Sequence, residues 1–204
     1  MIPRLYAIVD AGLLSARGVP LREFASELAE AGVTIVQYRD KTGAPQHILQ
    51  AVTEIRTVFT GKLILNDRPD LAVLANADGV HVGQEDLSPE DARLIVGRNR
   101  LIGLSTHNDD QVSAAEWDDS DYVAIGPVFS TGTKLNPDPV IGLEGVRRAR
   151  ELTIKELVAI GGISRSNARS IIEAGADSVA IISGLFADGE TVTKVARDFL
   201  DILR

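Results

Sequence analysis

No cysteine occurs among the 204 residues, which excludes disulfide bridges, thiolate catalysis and cysteine-ligated zinc at once. Aromatic side chains are scarce at 4%, with a single tryptophan, and the three histidines include no pair at metal-ligand spacing. No apolar run approaches the ~20 residues that a membrane-spanning helix requires. The N-terminal MIPRLYAIVD also lacks an apolar segment followed by a cleavage site, so the expectation is a soluble, cytoplasmic protein. Linkers and low-complexity tracts are missing too, which predicts one domain over residues 1–204, long enough to bury a substantial core. Positive charge is in deficit. Against 29 Asp and Glu stand 21 Lys and Arg, a net charge of −8 that argues against nucleic acid or an anionic membrane as partner. Any anionic small-molecule substrate must therefore be held by a local cluster of cations.

What the chain has in abundance is a repeated pattern. Eight short apolar runs, LYAIV, TIVQY, LIL, GVHV, LIGL, YVAI, LVAI and VAII, are separated by segments of helical periodicity. In PLREFASELAEAG, Leu21, Phe24, Ala25 and Leu28 fall at i, i+3, i+4 and i+7, with Gly32 just past the end. SPEDARLIVG offers Ser88 as N-cap, Pro89 at the first helical position and Asp91 three residues on, and SRSNARSIIEAG closes on Gly175. Continuous apolar strands alternating with amphipathic helices imply a parallel sheet covered by helices, and eight units imply a closed (β/α)8 TIM barrel. An open doubly wound sheet is disfavoured, because no GxGxxG follows LYAIVD.

Polar residues gather at one end of the strands: QYRDK after the second, NDR after the third, GQED after the fourth, STHN after the fifth, GPVFSTGTK after the sixth, GGISRS after the seventh and SG after the eighth. In a barrel these all lie on the C-terminal rim, where active sites of this fold sit. Gln37, Arg39 and Lys41 alternate at period two and would project from one side while Val36 and Tyr38 face the helices. Two cations and an amide suit a polyanion such as pyrophosphate, though a solvated loop with an exposed ion pair has the same spacing. Asp67 and Asp86 end adjacent strands and are candidates for Mg²⁺, which takes one or two protein carboxylates and completes its shell with water and phosphate oxygens. Isolated aspartates there would instead be helix caps. Gly161 and Gly162, with Ile182, Ser183 and Gly184, occupy the loops where barrels bind a phosphate through backbone N–H groups. Thr131, Thr133 and Lys134 form a further polar cluster. His81, between two valines, is expected to pack with a satisfied imidazole, His107 to lie in a turn as a cap or a substrate-adjacent contact, His47 to be exposed, and Trp117 to pack.

QYRDK, NDR, DGVHVGQED, GLSTHN, DYVAIGPVFSTGTK, GGI and VAIISG, in that order across the whole chain, resemble the thiamine-phosphate synthase family. That family is a (β/α)8 barrel joining hydroxymethylpyrimidine pyrophosphate to a thiazole phosphate with Mg²⁺. The resemblance implies that Gln37, Arg39, Lys41, Asn66 and Lys134 contact the pyrimidine pyrophosphate and that Ser105 reaches the pyrimidine. It implies Asp67 and Asp86 as the Mg²⁺ ligands. Thr131, Thr133, Gly162, Ile182 and Ser183 would hold the thiazole phosphate, and Arg39, Lys41, Ser105 and Lys134 would act in catalysis. Ser130 stands where many members have proline, and LNPDPVIG lengthens the loop after Lys134. Two other readings stay open: a thiazole phosphate isomerase using His81 or His107 as acid and base, and a phosphate-ligand sensor on a barrel scaffold. Homo-oligomerisation is not fixed by the sequence.

Overall fold

The computed structural model describes residues 1–132 and 138–204. The eight apolar runs form eight strands: β1 (Leu5–Asp10), β2 (Ile35–Arg39), β3 (Lys62–Asn66), β4 (Gly79–Val82), β5 (Leu101–Thr106), β6 (Tyr122–Ile125), β7 (Glu156–Ile160) and β8 (Ser178–Ile181). Each pairs in parallel with its sequence neighbour, and β1 pairs with β8 through Leu5↔Val179, Tyr6↔Ala180 and Ala7↔Ile181, closing the barrel.

Between the strands run α1 (Ala11–Arg17), α2 (Leu21–Ala31), α3 (Pro45–Arg56), α4 (Pro69–Leu74), α5 (Pro89–Val96), α6 (Asp109–Ala115), α7 (Gly142–Leu152) and α8 (Ala168–Glu173), and α9 (Val192–Ile202) follows β8. Among the described residues, no helix is long and apolar enough to cross a membrane. Local chemistry sets the helix ends. Ser88 Oγ accepts from Asp91 N–H at 3.1 Å, with Pro89 in the first turn where its missing N–H costs nothing. Gly32 ends α2 at φ 92°, a left-handed conformation in which a Cβ would be strained. Helix α8 starts later than its sequence pattern predicts. Ser164 N–H donates to Asn167 Oδ1 at 2.8 Å, and this side-chain bond holds residues 164–167 in a turn before the helix begins.

Strand alternation divides the core in two. Leu5, Ala7, Val9, Val36, Tyr38, Leu63 and Leu65 point outward and pack under the helices. Tyr6, Ile8, Ile35, Ile64, Tyr122, Ala124, Val158 and Ala180 fill the barrel interior. Because both faces are apolar, each strand reads as a continuous run, and the inward set ends on the polar residues of the rim.

Trp117 departs from the expectation that it packs. It lies two residues beyond the end of α6, whose buried face is Val112 and Ala115, and in the turn there the residue is 90% exposed.

Gly103 occupies a tight position in the interior. It sits in register between His81 of β4 and Tyr122 of β6, and an added Cβ would lie 2.1 Å from Tyr122 Cζ and 2.3 Å from His81 Nδ1. Overpacking of this kind costs about 1–3 kcal/mol. Gly103→Ala should lower the urea midpoint by the equivalent of that figure with an unchanged m-value. A midpoint equal to wild type would show that the layer can relax around a methyl group.

Candidate active site

The mouth of the barrel is built from the residues that end β1 to β5. Asp10 and Arg39 are register partners on β1 and β2, so their side chains emerge together, and Arg39 Nη1 donates to Asp10 Oδ2. Asp10 is buried, and its other oxygen accepts from Leu13 N–H at 2.9 Å, capping α1. Gln37 lies one pleat deeper than Arg39, buried, with Nε2 donating to Tyr6 Oη at 3.1 Å. The expected inward direction of Gln37 and Arg39, with Val36 and Tyr38 outward, is what the strand adopts. Lys41 stands past the end of β2 and pairs with Asp67 across the rim.

Asp67 follows β3 with φ 60°, a left-handed conformation that aspartate tolerates better than most residues. Its N–H donates to His81 O at 2.8 Å, which fixes the turn against β4. Asn66, the last residue of β3, is half-buried beside it. Asp86 lies in the loop after β4, where Oδ2 accepts from Gly83 N–H at 2.8 Å. It does not cap the following helix, a role taken by Ser88. Partial loss of solvent, and then the neighbouring carboxylate of Asp67, push the Asp86 carboxyl above its ordinary range.

The charge balance of this group bears on a metal. Arg39 and Lys41 face Asp10, Asp67 and Asp86, two cations against three carboxylates, so the five together carry an excess of one negative charge. A hard divalent cation between Asp67 and Asp86 would relieve their repulsion and reverse that sign, and two carboxylates with open positions for water and phosphate oxygens suit Mg²⁺. The donor set fits.

Ser105 is half-buried near the end of β5, and its Oγ lies 2.9 Å from His81 Nε2, while His81 Nδ1 lies 3.1 Å from Tyr122 Oη. Both imidazole nitrogens are thus bonded, as a packed, satisfied histidine requires. Burial pushes the His81 pKa down to about 4, so the ring is neutral at pH 7. His107 lies in the loop leading to α6 with Nδ1 2.8 Å from Gly126 O, but it does not cap that helix, because Asn108 Oδ1 takes the role by accepting from Gln111 N–H at 2.9 Å. His47 is exposed on α3, as expected.

The opposite side of the rim is glycine-lined. Gly161 and Gly162 follow β7 with φ 102° and 63°, and a Cβ on Gly162 would meet Ser130 O at 2.5 Å and Phe129 Cβ at 2.7 Å. The loop after β6 therefore runs directly over this pair, with Phe129 N–H donating to Gly161 O at 3.0 Å, which brings the Thr131 segment beside Gly162. Ile182 caps a short 3-10 helix, Ser183–Leu185, and a Cβ on Gly184 would meet Ile163 O at 2.5 Å. Gly162, Ile182, Ser183 and the Thr131 segment thus converge at a helix start, the usual phosphate position of this fold. Thr133 and Lys134 lie outside the described residues, as do Leu135, Asn136 and Pro137 of the lengthened loop.

The sequence pattern did not single out Asp10, Tyr6, Tyr122 or Gly103. Asp10 carries a readable signal, since it ends the first strand as Asn66 ends the third. The tyrosines carry none, because in a strand buried on both faces an inward aromatic looks like an outward one.

Fold and rim together define a (β/α)8 enzyme with its site at the C-terminal ends of the strands. The family described as Thiamine monophosphate synthase matches residues 5–185. A thiamine-phosphate synthase of Koribacter versatilis is 51% identical, covering 99% of this chain and 96% of the relative, and one of Methanosarcina mazei is 41% identical, covering 98% and 82%. The solved thiamine phosphate pyrophosphorylase from Pyrococcus furiosus superposes with a TM-score of 0.84 at 32% identity, covering 98% of this chain and 95% of that one. The chain belongs to the thiamine-phosphate synthase family.

The neutral, buried His81 makes stability depend on pH. In the unfolded chain the imidazole titrates at its ordinary 6.5, against about 4 when folded. Between these values the unfolded state binds more protons, so His81's contribution is fully present above pH 6.5 and is lost as pH falls toward 4, about 3 kcal/mol in all. Urea titrations of wild type and His81→Gln from pH 4 to 7 should show this excess slope in the wild type alone. Parallel curves would mean that the folded imidazole accepts a proton freely.

Proposed function

We propose that this barrel is a thiamine-phosphate synthase of thiamine biosynthesis, a transferase that condenses 4-amino-2-methyl-5-hydroxymethylpyrimidine pyrophosphate with 4-methyl-5-(2-phosphooxyethyl)thiazole, giving thiamine phosphate and pyrophosphate. The observation that carries the substrate assignment is the division of one rim into two unlike anion sites. On one side Arg39 and Lys41 stand beside the carboxylate pair Asp67 and Asp86. On the other, backbone at Gly162, Ile182 and Ser183 converges around glycines that press against neighbouring loops. A pyrophosphate with a bound cation suits the first, and a lone phosphate monoester suits the second. A thiazole phosphate isomerase has no use for the first side.

In this reading Asp67 and Asp86 would hold Mg²⁺, which supplies charge neutralisation for a departing pyrophosphate. Gln37, Arg39, Lys41 and Asn66 bind and orient the pyrimidine pyrophosphate, joined by Lys134 on its position in the sequence. Arg39, Lys41 and Lys134 stabilise the negative charge that grows on the leaving group. Ser105 contacts the pyrimidine. Thr131 and Thr133, with Gly162, Ile182 and Ser183, hold the thiazole phosphate so that its ring nitrogen faces the pyrimidine methylene. Neither a cysteine nor a Ser/His/Asp constellation supplies a nucleophile among the described residues at the mouth, which argues against a covalent enzyme intermediate, and we take the route to be dissociative. The 4-amino group supports a methylene cation, the thiazole nitrogen attacks it, and the barrel's tasks are orientation and exclusion of water.

Mixing both substrates with and without Mg²⁺ and measuring pyrophosphate tests the assignment. Release should require the metal and both substrates, and Asp67→Asn or Asp86→Asn should cut turnover by about two orders of magnitude with the fold retained. Full activity in EDTA would remove the metal from the reading. Binding without turnover would favour a sensor.

The route is tested separately with methyl, methoxy and trifluoromethyl pyrimidine pyrophosphates in single turnovers at saturating thiazole phosphate. A cation destabilised by trifluoromethyl should slow chemistry by several orders of magnitude, each tenfold loss being about 1.4 kcal/mol. Rates within about threefold of one another, with chemistry limiting, would indicate direct displacement.

A further inference from the structure

Beneath the mouth of the barrel, five side chains from five strands make one continuous run of hydrogen bonds. Gln37 Nε2 donates to Tyr6 Oη at 3.1 Å, Tyr6 Oη lies 2.9 Å from Tyr122 Oη, Tyr122 Oη lies 3.1 Å from His81 Nδ1, and His81 Nε2 lies 2.9 Å from Ser105 Oγ. Four of the five are buried, and Ser105, the last, is half-buried at the rim.

The run has a direction, because each phenol has one hydrogen to give. Tyr6 already accepts from the Gln37 amide, so its own hydrogen has a single acceptor among the described residues, Tyr122 Oη. Tyr122 must then donate to its other partner, His81 Nδ1. A bare Nδ1 on a neutral ring puts the hydrogen on Nε2, which donates to Ser105 Oγ. Ser105 Oγ has no other partner among the described residues, so its hydrogen is left to point into the mouth. Gly103 supports this arrangement independently. It lies in register between His81 and Tyr122, and any side chain there would occupy the space in which the phenol meets the imidazole.

We propose that Gln37, Tyr6, Tyr122 and His81 form a one-way hydrogen-bond chain that holds His81 as its Nε2–H tautomer and makes the Ser105 hydroxyl a donor aimed into the active site. Tyr6, Tyr122 and His81 are positioning residues that act through Ser105. This rests on the reading that a pyrimidine occupies the mouth, because a fixed donor selects a ring that presents an acceptor nitrogen over one that presents N–H. The gain is preorganisation: the hydroxyl does not have to be reoriented in each catalytic cycle.

Two measurements on the full chain test it. In the first, ¹⁵N NMR of histidine-labelled protein, with the His81 signals assigned from His81→Gln, reads the tautomer directly. A protonated Nε2 with a bare Nδ1 is expected, and the opposite tautomer or an even mixture would overturn the proposal. In the second, Tyr122→Phe should lower kcat about tenfold with both KM values within about threefold of wild type, and Ser105→Ala should lose at least as much. Adding Tyr122→Phe to Ser105→Ala should then cost less than about twofold more, since residues acting as one unit are not additive. Multiplying losses would show that Tyr122 acts on the site by another path. If Tyr122→Phe does not fold, the tautomer read by NMR in the wild-type protein decides the proposal. A wild-type protein that releases no pyrophosphate from the two substrates would instead defeat the functional assignment, and the NMR result would still stand or fall by itself.

Discussion

Closure of the sheet between β1 and β8 is the constraint on which the rest of the molecule depends. Only a closed parallel barrel brings the C-terminal ends of eight strands to one rim, and here the closing seam is reinforced from the N-terminus. Val179 N–H donates to Arg4 O at 2.9 Å, Ser178 Oγ donates to Pro3 O at 2.7 Å, and Ile2 N–H bonds the Glu156 carboxylate. These contacts join residues more than 150 positions apart in the chain. They carry a high loop-closure cost before they return any stability. Once made, they bring the loop after β8 onto the same rim as Asp10 and Arg39, which the pairing of β1 with β2 sets side by side.

In the proposed reading, the two halves of that rim would hold their anions by different physics. Lys41, paired with Asp67, and Arg39, paired with Asp10, present localised charge whose effect depends on which carboxylate or ligand holds it. The glycine side offers backbone dipoles fixed by steric fit, since Gly161, Gly162 and Gly184 each press against the backbone of a neighbouring loop. Charge on the first side is responsive to salt, metal and pH, whereas dipoles held by close packing are not.

Much of this was legible in the sequence because the fold rests on periodicity. Eight apolar runs gave eight strands, and period-two alternation in β2 correctly turned Gln37 and Arg39 inward and Val36 and Tyr38 outward. Asp67 and Asp86 stand where the strand ends placed them, and Gly162, Ile182 and Ser183 converge as the loops after β7 and β8 suggest. What the sequence concealed was pairing across the interior. Nothing in LYAIVD and DYVAI indicates that Tyr6 and Tyr122 meet, since their contact depends on barrel radius and on a glycine at position 103. Trp117 went the other way, because a shift of two residues past a helix end moves a side chain from core to solvent.

Asp10 holds Leu13 N–H with one oxygen and Arg39 with the other, and so cannot follow the guanidinium if a ligand draws it away. An anion that takes Arg39 breaks one charge pair to make another, and the same holds for Lys41 and Asp67. Its affinity is the difference between two strong interactions. Departure is eased by the same exchange, because the resident carboxylate recovers its cation as the anion leaves. A mouth built this way can engage a highly charged group firmly during turnover and still discharge it afterwards, avoiding the product retention that free, uncompensated cations would cause.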